Sequence, residues 1–313
     1  MLNRRYLRIK VMQVLYSFLQ SSDRDMNKGE KELFRNVEKI YDLYLSILFL
    51  FIEIQHQAEN ILQEGKNKKL PTTEELTPSR KFLGNRLIKQ LSENKHLKKE
   101  IINRKISWQL EPELVKKIFN TIRGSEEYAA YMNSIEDSYL SDKNFVIEIF
   151  KKYISEFEPL LHHFEEKSIY WVDDVWLVNS NIIKTLEFFN ENTLGSVMQL
   201  YKDEADDKHF ITELFRKTIL MDIENEKLIS SKTKNWELER IAMMDVLLMK
   251  MAITEMLVFS NIPVKVTLNE YIEISKLYST PKSKMFINGI LDSLVIDFKE
   301  QQKFVKTGRG LME

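Results

Sequence analysis

The chain has 313 residues, 43% hydrophobic and 30% charged, with 46 Lys and Arg against 47 Asp and Glu, which suits about two globular domains and excludes recognition of a polyanion by bulk charge, so a basic site has to be local. The absence of cysteine excludes disulfides, thiolate metal sites and cysteine nucleophiles. With 8 Gly and 6 Pro there are few places for tight turns, and Leu, Ile, Phe and Met recur at i, i+3, i+4, i+7, so the expected fold class is all-α.

The first segment reads MLNRRYLRIKVMQVLYSFLQSSD. At about 100° per residue Leu7, Val11, Val14 and Phe18 share one apolar stripe, Arg4, Arg5, Arg8 and Met12 flank it, and Tyr16 lies just beyond. Asn3 is the expected N-cap. Positive charges in a first turn oppose the helix macrodipole, so local helix stability does not explain the arginines; they look placed for a partner.

After the break SSDRDMNKGE, apolar residues from Leu33 to Ile61 predict one long helix to about Glu64. Its run YLSILFLFI at 44–52 is far shorter than the ~20 residues of a membrane span, and Leu48, Phe49, Leu50, Phe51 and Ile52 crowd most sides of the helix, which requires burial against other helices. No stretch reads as a signal peptide, and we expect a cytoplasmic chain without membrane association. Residues 65–79, with Pro71 and Pro78, read as a loop; Glu111-Pro112 marks a helix start, and Gly124 and Gly195 mark breaks. NFVIEIFKKY at 144–153 matches HFITELFRKT at 209–218, with Trp171 and Trp236 in the same register; partial duplication and coincidence of helical period both account for this.

In the last third, Asn235 is expected to cap a helix carrying Glu237 and Glu239 in its first turn and Ile241, Met244, Leu248, Met251 and Met256 on its apolar face. Thr267 and Glu270 have the spacing of a capping box, and Thr280-Pro281 reads as a cap with proline at the first helical position. Phosphate-cradling glycine loops and the common hydrolase motifs are missing. His162 and Glu166 can share a helix face but lack further ligands, and the adjacent Asp173-Asp174 and Asp206-Asp207 point different ways, so no catalytic residue, metal or cofactor is expected.

RRYLRIKVMQVLYSF, NWELERIAMMDVLLMKMAITEML and IPVKVTLNEYIEISKLYSTPKSKMFINGILDSL together resemble the first helix and the C-terminal helices of the transcription antitermination factor NusB family. The most specific pieces are Gln13, Leu15 and Tyr16; Asp245 through Ala252 with Glu255; Asn269-Glu270; and Phe286-Ile287-Asn288-Gly289 with Leu291-Asp292. The resemblance implies a NusB-like helical bundle built from 1–20 and 205–305, with 21–204 as an added helical insertion and 306–313 as a tail. It also implies a non-enzymatic factor that binds boxA-like RNA together with NusE, a small-subunit ribosomal protein, in the RNA polymerase antitermination complex during ribosomal RNA transcription.

Carried over by position, the RNA-binding candidates are Arg4, Arg5, Arg8, Tyr16, Lys232, Lys234, Lys282, Lys284 and Phe286. The arginines and lysines would meet phosphates, and the aromatic rings would stack on unpaired bases. Lys250 stands where many relatives have arginine, and Asn288 reads as a structural hydrogen-bonder. A NusB-like module attached to an RNA methyltransferase is an alternative, opposed by the missing cysteine and the missing S-adenosylmethionine loop; a purely structural helical scaffold is another.

Overall fold

The fold is described by a computed structural model covering residues 1–69, 79–192, 196–233 and 241–311. Among these residues every regular element is helical. α1 spans Arg4–Gln20, α2 Met26–Lys66, α3 Arg86–Glu93, α4 Lys95–Arg104, α5 Pro112–Arg123, α6 Glu126–Asn133 and α7 Tyr139–Ile149. α8 spans Glu158–Lys167, α9 Val175–Phe188, α10 Glu204–Leu220, α11 Asp222–Lys232, α12 Met243–Val258, α13 Val264–Tyr278 and α14 Ser283–Glu300. No helix among the described residues is long and apolar enough to cross a membrane. The chain divides into two compact units, Met1–Val37 with Tyr201–Glu313, and Glu38–Leu200. The division falls within α2.

In the first unit α1 packs against α10, α12 and α13. Asn3 caps it as expected, accepting from the Tyr6 N–H at 3.1 Å. Leu7, Val11, Val14 and Phe18 are buried, but so are Arg8, Lys10 and Met12. The expected flank of Arg8 and Met12 is therefore interior, because helices close around α1 on more than one side. Gly29, in the first turns of α2, allows a close approach: a Cβ there would lie 2.6 Å from Phe215 Cζ and 3.0 Å from Phe18 Cδ2. Those two rings meet edge-on, with centroids 5.7 Å apart.

Two expected helix starts move, and a third falls outside the described residues. Asn235, Glu237 and Glu239 lie outside the described residues, and α12 is described from Met243, with Ala242 in the N-cap position. Thr267 and Glu270 form no capping box, since α13 has already begun at Val264 behind Pro263. The same i, i+3 spacing puts both on one face inside a helix. Thr280-Pro281 precedes a turn, with Ser283 Oγ accepting from the Thr280 N–H at 3.2 Å and α14 starting at Ser283.

In the second unit the remainder of α2 forms a spine. Tyr44, Leu48, Leu50, Phe51 and Ile52 are buried and Phe49 is half-buried, so the crowded run is packed on most of its sides. Tyr44 Oη meets Thr185 Oγ1 at 2.7 Å and accepts from the Met198 N–H at 3.1 Å, while Trp108 and Trp171 donate to the carbonyls of Ser46 and Lys39 at 3.0 and 2.7 Å. Arg104 bridges Glu38, Asp42 and Glu100 with its guanidinium over the Tyr41 ring. Pro112 begins α5 and Gly124 ends it, as the sequence indicates; Pro71, Pro78, Gly195 and Trp236 lie outside the described residues.

Asn85 organises the other end of this unit. Fully buried, it caps α3 by accepting from the N–H groups of Leu87 and Ile88, both at 3.1 Å, and it donates to Tyr131 Oη and the Asp142 carbonyl. Beside it Phe82 packs on Phe119, Tyr128 and Phe145, and Tyr131 stacks on Phe145 at 4.0 Å. Asn85→Ala removes the cap and strands buried donors, so a loss of about 2–3 kcal/mol is expected as a lower midpoint in urea denaturation.

Candidate functional site

The candidate site lies in the first unit and is built around one carboxylate. Glu255, near the end of the largely apolar α12, is fully buried. Arg8 donates to it from Nε at 2.7 Å and from Nη2 at 2.6 Å. The Thr267 hydroxyl donates to Oε1 at 2.8 Å and the Tyr271 hydroxyl to Oε2 at 3.1 Å. Four donors from α1 and α13 thus satisfy both oxygens, the condition for holding an ion pair inside a protein. Burial opposes the charge on Arg8, but the field and hydrogen bonds of Glu255 outweigh it and hold the guanidinium above its ordinary pKa. Burial, then Glu255, raises the Tyr271 phenol, which stays a neutral donor.

The pair extends to the surface through Glu270, whose Oε2 lies 3.5 Å from Arg8 Nη1. Glu270 accepts a fork from Arg5, at 3.0 Å from Nε and 2.8 Å from Nη2. Its hydrogen bond to Arg5 is the main reason that guanidinium's pKa is raised. Arg4 turns to the first turn of α10, where Asp203 caps the helix and acids are favoured by the dipole. There Arg4 pairs with Asp206 and, at 3.3 Å, with Asp207. Adjacent as they are, both acids meet it because the guanidinium spans them. Its planar group lies over the Phe210 ring, 4.2 Å from the centroid. Arg4, Arg5 and Arg8 line a cleft of about 1110 Å³ together with Asn3, Asp206, Phe210, Glu270 and residues 258–263 and 307–309.

The other candidates are dispersed. Lys282 and Lys284 are exposed and Phe286 is half-buried at the start of α14. This segment is tied down by Asp245 at the start of α12, which accepts from the hydroxyls of Ser279 and Ser283, the latter at 2.7 Å. Asp245 and Glu255 are about 15 Å apart along α12, so the basic residues form two groups at its opposite ends. Tyr16 is half-exposed, two turns beyond Arg8. Lys232, expected at RNA, is committed to Asp297 of α14 at 2.5 Å. Lys234 lies outside the described residues. Arg8, also expected at RNA, is an internal anchor that positions Arg5 through Glu270.

Lys250 is buried and bridges Asp222 and Glu226 of α11 at 2.7 and 2.9 Å. Asn288 donates to Asp292 one turn on, at 2.7 Å. His162 and Glu166 form an exposed pair at 3.2 Å, and no group of three potential metal ligands occurs among the described residues.

The NusB family model matches residues 177–295. Over 139 residues the chain is 39% identical to the transcription antitermination protein NusB of Salinibacter ruber, covering 42% of this chain and 86% of that one. The chain belongs to the NusB family. Other relatives of the same name are those of Chloroherpeton thalassium, 44% identical over 34% of this chain and 50% of that one, and Dictyoglomus turgidum, 36% identical over 38% and 85%. No solved structure matches. The NusB family match starts within α9 and omits α1, yet the structure brings α1 onto α12 and α13 of the matched region through Arg8, Glu255 and Thr267.

Glu255→Gln leaves Arg8 without its closest counter-charge, and a loss of about 3–5 kcal/mol is expected in chemical denaturation. Arg8→Met combined with Glu255→Gln should cost less than the two single changes added together, because the singles each strand a buried group; a strictly additive cycle would rule out this coupling.

Proposed function

We propose that the chain is a transcription antitermination factor that binds boxA-type single-stranded RNA with NusE, within the RNA polymerase antitermination complex, and supports ribosomal RNA transcription. The observation that carries this reading is family membership, with the Salinibacter ruber relative named as a transcription antitermination protein and 86% covered. In this reading residues 1–20 and 205–305 are the RNA-binding core, 21–204 is an insertion and 306–313 a tail. The protein acts by binding, without a covalent step.

The chemistry of the site is compatible with that role. Arg5 already presents a two-pronged fork to a carboxylate, and a phosphate oxygen pair suits the same geometry. RNA would take over acceptor positions now filled by Asp206 and Glu270, so Arg4 and Arg5 are held in place before the strand arrives. At the other end of α12, Lys282 and Lys284 supply charge, and Phe286 supplies a ring for base stacking.

The test is titration of the full chain with boxA-type RNA, with and without NusE, at several salt concentrations. Arg4→Ala with Arg5→Ala should weaken binding by about tenfold or more, with the salt slope falling by less than the ~0.7 per cation of unpaired contacts, since these cations are already neutralised by carboxylates. Unchanged affinity at low salt would remove the basis of the reading. Phe286→Ala should weaken binding by about 1–3 kcal/mol while the melting temperature holds; a collapse in melting temperature with normal RNA binding would assign the ring to the core.

A further inference from the structure

Beyond α14 the chain turns back and straps the loop between α12 and α13. Gln302 adopts a positive φ of 55°, and the Lys303 N–H donates to the Phe298 carbonyl at 2.9 Å, reversing the chain. The Phe304 ring meets Phe298 edge-on. Lys306 Nζ then donates to the Phe259 carbonyl at 2.8 Å, where α12 ends and a cation is favoured. The Thr307 N–H donates to the Ser260 carbonyl at 3.0 Å.

The next residues are Gly308, Arg309 and Gly310. Gly308 has φ +52°, a left-handed conformation that suits glycine. Gly310 is buried so tightly that a Cβ would lie 1.9 Å from the Ser260 carbonyl oxygen. Between these two constrained glycines Arg309 is exposed and lines the same cleft as Arg4, Arg5 and Arg8. Those three arginines are each committed to a carboxylate. Arg309 has no carboxylate partner among the described residues, so a specifically anchored backbone presents an uncommitted guanidinium to the cleft.

We infer that the strap is part of the nucleic-acid site and that Arg309 contacts a phosphate of the bound RNA strand. This rests on the RNA-binding reading above and adds to it a residue outside the family-matched segment, which ends at 295. Arg4 and Arg5 exchange a carboxylate for a phosphate, whereas Arg309 brings a charge that only mobile counterions neutralise beforehand. Its contribution is therefore the more salt-sensitive one.

The experiment titrates the full chain with a short boxA-type single-stranded RNA at about 50–200 mM salt, using wild type, Arg309→Ala, Arg309→Lys, Gly310→Ala and the Arg4→Ala/Arg5→Ala variant. Arg309→Ala is expected to bind about three- to tenfold more weakly at low salt, with a log–log salt slope smaller by about 0.7, the value for one phosphate contact on a single strand. Arg309→Lys should retain the slope. Gly310→Ala, which cannot keep the strap on Ser260, should match Arg309→Ala. Wild-type affinity and slope in Arg309→Ala, with the Arg4/Arg5 variant impaired, would overturn this inference and leave the RNA reading intact. Failure of the wild type to bind the RNA at all would overturn both.

Discussion

One buried carboxylate holds the first unit in register. Glu255 is fully buried in α12, and its charge is tolerated because α1 and α13 together deliver four donors to it. A guanidinium fork and two hydroxyls cannot slide by one residue without leaving a charge unmet, whereas methionine and leucine contacts tolerate some sliding. The orientation of α1 about its own axis follows from this. So do the directions of Arg5 and Arg4, three and four residues before Arg8 and so about one turn along the same side of the helix, toward the cleft.

Asp245 does the corresponding work at the other end of α12, through hydroxyls in place of a cation. It fixes the turn from which Lys282, Lys284 and Phe286 project. Two acids of one helix thereby set both groups of candidate RNA-binding residues, and the length of helix between them sets their separation.

Much of this was legible in the sequence where a local rule acts alone. The Asn3 cap, the stripe of Leu7 to Phe18, the long second helix and the Pro112 and Gly124 boundaries follow from capping chemistry and periodicity. The misses share a cause. Periodicity places Arg8 on the flank beside the stripe because the stripe records only apolar residues, and its burial depends on an acid far along the chain. Thr267 and Glu270 resemble a cap because the spacing that closes a capping box is also the spacing of two residues on one helical face. Nothing local to Lys232 announces its ion pair, because its partner Asp297 lies on another helix. A charged residue inside an apolar helical run, as Glu255 is, was the available signal for the buried network. The strap left no signal beyond GRG, a pattern too short to interpret.

The first unit is assembled from distant parts of the chain, with Arg8 and Glu255 separated by 247 residues, whereas the second unit is one continuous stretch, 38–200. During synthesis the second unit has all its partners as soon as its own residues emerge. α1 emerges before it yet waits for the last third of the chain, carrying Leu7, Val11 and Val14 without the helices that bury them. The logarithmic cost of closing so long a loop is modest, but the wait exposes a sticky surface. Vectorial synthesis therefore leaves the first helix to be completed by a carboxylate made near the end.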